Sequence, residues 1–453
     1  MRSRAEIIRS IEDAIGHRRL LWVGTRGTDA QPLLAIDQFE GIVGLISPLG
    51  VPSWPASSED CLERISGQRV DLNAYSVDAD SSEARRELGA RLRKALSPGT
   101  VAIAYRPSAF LASAYFTRTE NVSYLGMFHG AQAAFEHKPW VETELAACGV
   151  PTIPWRYFAD DDHALLGEWV RGRRFVLRAN YSDGGRGLEL SEGGALLPTP
   201  IHDGGFIAAA PFLDPNVPLN VSGCVFPNGD VTVRSPSVQL IGIPSCTSRR
   251  FGYCGNDFAT VRDVIGRRGL DELEGLVVKT GEWLHRRGYL GAFGIDALVY
   301  DGAVYLAEIN PRFQGSSAAA SSIMAAAGVA DIYLDHLAAL LGIDGCSAFP
   351  PLREQGELQA EKGRRLAQVV CYNTAATCAI KPDAYVPDLP FAEVKGAAGP
   401  GIAVLPEAML FKIFVHDTIT STGFALDART VETIQALTGR IFEPVAASGE
   451  AET

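Results

Sequence analysis

The first 130 residues alternate between short apolar runs and stretches with helical periodicity. Four isoleucines recur at helical spacing with charged residues between them, which predicts an amphipathic helix at the start: Ile7, Ile8, Ile11 and Ile15. Leu20–Val23 and Val101–Tyr105 are apolar runs typical of buried strands, and Ser82–Leu96 has a helical pattern. This alternation predicts an α/β domain, interrupted by a Pro/Ser-rich loop over Ser47–Ser58.

From about residue 138 the pattern first predicts a helix ending at Gly149 and then a series of strands. The predicted strands are Arg174–Asn180, Leu188–Leu190, Phe206–Leu213, Val221–Phe226 and Val231–Val233. A helix over 271–287 and two strands near 292–300 and 304–310 come next. An Ala-rich helix over 317–327 follows, and the last 110 residues mix strands with helices.

Composition and charge limit the kinds of partner and cellular compartment that we expect for this chain. The chain has 453 residues, 47% of them apolar, and a net charge of -12. We expect no nucleic-acid partner, because no basic stripe is present to neutralise phosphates. We expect no membrane span, because no stretch of eighteen apolar residues occurs. The eight cysteines form no CxxC pair, which favours reduced thiols and a cytoplasmic protein.

The two strands near 292–310 carry acidic residues at informative positions. A three-residue turn over Asp301–Ala303 would place Asp296 opposite Glu308, with Asn310 two residues further on the same face. A two-residue turn would instead put Asp296 on the opposite face. Glu308 lies in a hydrophobic strand, so we expect it to have a cation partner. Two carboxylates and an amide oxygen are a ligand set suited to Mg²⁺.

A glycine-rich turn connects two predicted strands earlier in the chain. Its sequence is Ser182-Asp183-Gly184-Gly185-Arg186-Gly187. Successive glycines allow backbone N–H groups to approach a phosphate without side-chain clashes. The turn is neither a Walker A loop nor a dinucleotide fingerprint, since no Gly-Lys-Ser/Thr and no helix follow it.

Asp296 followed by Glu308-Ile309-Asn310-Pro311-Arg312 resembles the metal-binding signature of ATP-grasp ligases. The resemblance implies that Asp296, Glu308 and Asn310 hold one or two Mg²⁺ ions. It also implies that Arg312 contacts the transferring phosphate. The catalytic residues that it implies are Arg312, Glu308 and Arg178.

The resemblance extends upstream, where His137-Lys138-Pro139-Trp140 opens a helix. Arg178 stands where the family usually has Lys, and Ala210 lies where it usually has Glu. Pro211 has no N–H, so Phe212 or Leu213 must donate to adenine. The residues assigned to ATP are Lys138, Arg178, Gly184, Gly185, Arg186, Gly187, Ala210, Phe212, Leu213 and Asp214, the last for the ribose.

The resemblance implies an α/β protein with the ATP-grasp fold, in which two α+β lobes clamp ATP. We predict an N-terminal α/β pre-ATP-grasp domain over 1–130, the ATP-grasp domain over 131–335 and a C-terminal mixed α/β domain over 336–453. The implied reaction joins a carboxylate to an amine through an acyl phosphate, with release of ADP and phosphate.

Within the superfamily, the layout is most similar to bacterial peptide ligases of specialised metabolism, such as the pheganomycin peptide ligase. This implies an amino-acid-like acyl donor and an amino-acid or peptide acceptor, in the biosynthesis of a peptide natural product; a homodimer stays open. The candidate substrate contacts are Arg249, Arg250, Tyr253, Gly315 and Ser316. Two alternatives are an ATP-grasp kinase and a non-catalytic nucleotide-binding module.

Overall fold

The protein was analysed as a computed structural model, which describes residues 3–47, 59–117, 121–159, 162–181, 184–192, 205–343, 350–355 and 365–445. Three of the features predicted above therefore lie outside the described residues. They are most of the loop predicted over 47–58, Ser182 and Asp183 of the glycine turn, and Cys346.

A five-stranded parallel sheet forms the N-terminal region, in the order β3-β2-β1-β5-β6. Its strands are β1 Arg19–Arg26, β2 Phe39–Ile46, β3 Glu59–Cys61, β5 Thr100–Ala104 and β6 Val122–Leu125. A 3-10 helix spans Gly27–Ala35, and the helices are α1 Arg4–Ile15, α2 Leu62–Ser66, α3 Glu83–Ala95 and α4 Ala109–Phe116. The predicted α/β character of this region is confirmed.

A small antiparallel sheet follows, in the order β7-β10-β8-β9. Its strands are β7 Arg156–Ala159, β8 Phe175–Arg178, β9 Leu188–Ser191 and β10 Phe206–Pro211. The helices around it are α5 His129–Ala134, α6 Lys138–Ala147 and α7 His163–Val170. Helix α6 ends just before Gly149, as predicted, and this glycine has a φ of 74°.

The largest sheet has eight antiparallel strands in the order β15-β14-β11-β12-β13-β16-β20-β18. Its strands are β11 Val217–Val225, β12 Val231–Ile241, β13 Tyr253–Asp257, β14 Gly291–Tyr300, β15 Ala303–Asn310, β16 Ala367–Tyr372, β18 Ala392–Lys395 and β20 Met409–Val415. The helices are α8 Val261–Arg286, α9 Ser317–Ala326, α10 Ile332–Leu340 and α11 Ala428–Ile441. Helix α8 begins ten residues earlier than predicted, and Gly266 interrupts it.

Two strand pairings connect regions that the sequence assigned to different domains. Strand β13 pairs with β16, so the largest sheet continues into the C-terminal region. A further small sheet has the order β21-β17-β19-β4 and consists of β4 Gln68–Arg69, β17 Ala379–Ile380, β19 Ala403–Val404 and β21 Glu443–Pro444. The domain boundaries themselves stay a prediction.

Apolar packing against the largest sheet stabilises the central region. Helix α8 buries the side chains of its apolar face, among them Leu273, Val277 and Trp283. None of the helices in the described part of the chain combines the length and the apolar character needed to span a bilayer.

Candidate active site

The hairpin of β14 and β15 places two carboxylates side by side. Its turn has two residues, Asp301 and Gly302, with φ angles of 49° and 73°, so the predicted three-residue turn is wrong. A bulge inserts Ala307 into β15, because Ala297 pairs with Leu306 while Asp296 pairs with Glu308. The bulge supplies the shift that the longer turn would have given. Asp296 and Glu308 therefore lie opposite each other, as predicted.

Amide side chains surround the Asp296 carboxylate. Asn220 Nδ2 and Gln239 Nε2 each donate to its Oδ1 at 2.7 Å. Asn310 Nδ2 donates to its Oδ2 at 3.2 Å. Gly294 makes room for the Gln314 side chain, since a Cβ there would lie 1.8 Å from Gln314 Cδ. These donors fix the orientation of Asp296 without supplying a positive charge.

The Asp296 carboxyl is partly buried beside a second acid. Burial, and after it the neighbouring charge of Glu308, raise the pKa of Asp296 to about 7. A divalent cation between these carboxylates would offset both effects. Two carboxylates and the Asn310 amide therefore fit the hard, oxygen-preferring ion Mg²⁺.

Lys138 provides the cation partner expected for Glu308. Its Nζ lies 3.3 Å from Glu308 Oε1, and its side chain is buried at the N-terminus of α6. The preceding His137 accepts a hydrogen bond from the backbone N–H of Trp140 and so caps the helix. Lys138 thus lies beside the hairpin of β14 and β15, which we call the metal hairpin, and at the positive end of a helix.

Arg178 is held by an acidic residue that the sequence analysis missed. Its Nη1 and Nη2 donate to the two carboxylate oxygens of Glu142 at 2.7 and 2.8 Å, and its guanidinium lies over the Trp155 ring. The Arg178 Nε has no hydrogen-bond partner among the described residues. Glu142 follows Lys138 by one helical turn, which is the signal that could have revealed it.

Arg312 leaves the hairpin toward the N-terminal region. Its Nε lies 3.4 Å from Glu136 Oε1, and its guanidinium lies over the ring of Tyr105. Glu136 also pairs with Arg106. The sequence analysis missed Glu136, which orients Arg312 from a helix-connecting segment.

The strand predicted to run along adenine is β10. The backbone N–H of Phe212 donates to the carbonyl of Arg174 at 3.0 Å, so Phe212 is not available as a donor. Of the two predicted donors only Leu213 remains, because its N–H has no partner among the described residues. Asp214 pairs with Arg174 at 2.7 Å and does not line the cavity, whereas Ala210 does.

The glycine turn packs against two other segments. A Cβ at Gly184 would lie 2.3 Å from Asn73 Oδ1, and one at Gly185 would lie 1.8 Å from the Phe251 carbonyl oxygen. Both glycines, like Gly187, have positive φ angles. Arg186 Nη1 donates to the Asn73 carbonyl at 3.2 Å. The turn is thus held against the N-terminal region and the loop that precedes β13.

The structure separates the predicted substrate residues into two groups. Arg249 is bound by Asp71 and Glu407 and does not line the cavity. The other four line it, namely Arg250, Tyr253, Gly315 and Ser316. The Ser316 hydroxyl donates to Asn220 Oδ1 at 2.7 Å, which connects it to the amide cluster around Asp296.

One cavity of about 930 Å³ is lined by most of the predicted site residues, but Lys138, Arg186 and Gly187 do not line it. Asp296, Glu308 and Asn310 line it together with Arg178 and Arg312. A further wall is formed by the edge of the N-terminal sheet, the adjoining loops and α5. The sequence analysis missed this wall, which includes Thr25, Arg26, Asn73, Tyr75, Asp78, Arg106, His129, Gln132 and Glu136.

Known structures share this architecture. The chain matches biotin carboxylase from Campylobacter jejuni in a β-γ-ATP complex with a TM-score of 0.61, 12% identity, and coverage of 95% of this chain and 93% of that one. It matches the biotin carboxylase domain dimer of Hydrogenobacter thermophilus 2-oxoglutarate carboxylase, in complex with MgADP, ADP and bicarbonate, with a TM-score of 0.59, 13% identity, and coverage of 94% and 91%.

A third match is N5-carboxyaminoimidazole ribonucleotide synthetase from Thermotoga maritima, with a TM-score of 0.52, 12% identity, and coverage of 95% and 100%. No family model matches the chain, and no curated protein matches its sequence. The structural matches show the fold, which is the ATP-grasp fold over nearly the whole chain. The similarity to peptide ligases stays a prediction.

The raised pKa of Asp296 predicts how the metal-free protein responds to pH. The unfolded chain loses this proton near the ordinary aspartate pKa of 3.8 and the folded chain near 7, so stability should fall as pH rises between these values. Asp296→Asn replaces the ionisable carboxyl with an amide and so removes this loss of stability. In EDTA at pH 8 it should raise the free energy of unfolding by up to about 4 kcal/mol.

Urea unfolding at pH 4 and pH 8 measures this effect. At pH 4 the variant and the wild type should differ little, which is the internal control. A variant that is no more stable than the wild type at pH 8 would show that the carboxyl is not strained by burial.

Proposed function

We propose that this chain is an ATP- and Mg²⁺-dependent ligase that joins a carboxylate to an amine through an acyl phosphate. The observation that carries the proposal is the pairing of Asp296 with Glu308 on one hairpin face, with Asn310 beside them and Arg312 two residues further on. Structurally similar proteins were crystallised with ADP, MgADP or an ATP analogue, which supports the assignment of nucleotide and metal.

The proposed site residues have separate tasks. Asp296, Glu308 and Asn310 would hold Mg²⁺, which neutralises phosphate charge when it is bound. Lys138 and Arg178 would face the ATP phosphates, with Glu142 holding the Arg178 guanidinium in place. Since phosphoryl transfer depends on positioning and charge neutralisation, these residues provide what the first step requires.

The proposed reaction has two steps. A carboxylate oxygen attacks the γ-phosphorus, the bond to the β–γ bridging oxygen breaks, and ADP leaves. The amine nitrogen then attacks the acyl carbon, inorganic phosphate leaves, and the amine gives up a proton. Arg312 would hold the transferred phosphoryl group, and Glu136 keeps its guanidinium in place.

Water must be kept from the acyl phosphate between these steps. The contacts of Gly184 and Gly185 with Asn73 and Phe251 place the glycine turn at the cavity. We propose that backbone N–H groups of this turn, with Arg186 and Gly187, bind the phosphates while the turn excludes water.

We further propose that the products are peptides or related amides, made in the cytoplasm for a peptide natural product. The acyl donor would be an amino-acid-like carboxylic acid and the acceptor an amino acid or a peptide. Arg250, Tyr253, Gly315 and Ser316 line the cavity and are the proposed substrate contacts.

A hydroxylamine trap tests the reaction. With ATP, Mg²⁺ and pooled carboxylic acids, hydroxylamine should intercept the acyl phosphate, so that acyl hydroxamate and ADP accumulate in equal amounts. Glu308→Gln should lower this rate by about a hundredfold, because it removes one charge from the metal site. The exposed Glu282→Gln is the matched control and should retain the wild-type rate.

Other products would identify other reactions. Release of AMP would contradict the proposed mechanism. A stable phosphorylated product without hydroxamate would indicate a kinase. ADP release that depends on bicarbonate alone would indicate a carboxylase.

Leu213→Pro tests the adenine contact, because proline removes the backbone N–H proposed to donate to the base. The affinity for ADP should fall by about tenfold, the effect of losing one hydrogen bond. Leu213→Ala keeps the N–H and should bind ADP within about threefold of the wild type by calorimetry. Equal affinities for the two variants would exclude this N–H as the donor.

A further inference from the structure

Two buried cations share a single carboxylate at the carboxyl edge of the N-terminal sheet. Arg26 ends β1, and its Nη1 lies 3.4 Å from Asp29 Oδ2. Lys412 reaches the same carboxylate from β20, with its Nζ 2.8 Å from Asp29 Oδ1. All three side chains are at least nine-tenths buried. We call this group the Arg26 cluster.

The Arg26 cluster carries more positive than negative charge. Burial lowers the pKa of Lys412 more than Asp29 raises it, and the charge of Arg26 adds to the lowering. The acidic residue Asp71 lies on the neighbouring loop, but it binds Arg249. Since buried charges are stable when they are balanced, this cluster is suited to an additional anion.

The cluster opens onto the cavity through Arg26. The Nε of Arg26 is buried and has no hydrogen-bond partner among the described residues. The hydroxyl of Thr25, the preceding residue, is also buried without a hydrogen-bond partner among the described residues. Both residues line the cavity. Lys412 does not line it. A buried guanidinium that has an unpaired donor and lines a cavity is suited to binding a carboxylate.

The residues of this anion site differ from the cations proposed for phosphoryl transfer. Lys138 contacts the metal hairpin and Arg312 extends from it, whereas Arg26 lies on the N-terminal wall. Tyr253 lies near both sites, since the charges of Arg26 and Asp296 both act on its hydroxyl. The carboxylate that attacks ATP must lie near Arg312. Arg26 is therefore suited to a carboxylate that does not react.

We propose that Arg26, supported by Lys412 through Asp29, binds the free carboxylate of the amine substrate. This inference rests on the proposed ligase function and deepens it: the acceptor is an amino acid with a free carboxylate, not a simple amine. Apolar side chains line the cavity along the same sheet edge and favour an apolar amino acid, among them Val43, Leu45, Leu72, Val77 and Phe110.

Calorimetry on the full chain saturated with ADP and Mg²⁺ tests the inference without requiring turnover. L-Leucine should bind the wild type at least about tenfold more tightly than L-leucinamide, which lacks the carboxylate. Arg26→Met should lose this preference. Lys412→Met should weaken leucine binding by about threefold to tenfold although Lys412 does not reach the cavity, because the cluster then becomes neutral.

Arg9→Met removes an exposed arginine and is the matched control, with wild-type binding expected. The affinity of each variant for ADP shows whether it is folded. Should Arg26→Met lose ADP as well, the test moves to Lys412→Met, which retains Arg26.

Equal binding of leucine and leucinamide to the wild type, or no binding of either, would overturn the inference. An unchanged preference in both variants would also overturn it. Loss of leucine binding in Arg26→Met from a protein that forms no hydroxamate would support the anion site while contradicting the proposed ligase function.

Discussion

One costly arrangement lies at the centre of the site, a partly buried carboxylate held beside a second acid. The bulge at Ala307 brings Asp296 opposite Glu308, and four amide side chains surround Asp296 without neutralising it: Asn220, Gln239, Asn310 and Gln314. A chain selected only for stability would not retain this pair, because burial and mutual repulsion oppose their ionisation. We propose that a cation bound during function balances this pair.

The cationic side chains at the site form two groups. Lys138, Arg178 and Arg312 belong to the metal hairpin and its neighbours, where each has an acidic partner. Arg26 lies at the edge of the N-terminal sheet and shares its one carboxylate with Lys412. Phosphoryl transfer and amine recognition would thus use different cations. This separation lets a second substrate bind without displacing the first.

Local patterns predicted much of this site, while tertiary contacts determined the rest. The metal hairpin, the glycine turn and the start of α6 were predictable because each depends on neighbouring residues. The bulge was not, since either turn length fits the same apolar pattern. Contacts that join distant segments were also hidden, such as Arg178 with Glu142 and Arg249 with Asp71. The Arg26 cluster joins residues 383 positions apart.

Diffraction from crystals grown with ADP and Mn²⁺ tests the central claim most directly, because the anomalous signal of Mn²⁺ locates the ion independently of the protein. We expect an anomalous peak for Mn²⁺ at about 2.0–2.6 Å from carboxylate oxygens of both Asp296 and Glu308, in contact with the ADP phosphates. A nucleotide-bound ion that contacts neither carboxylate would contradict it.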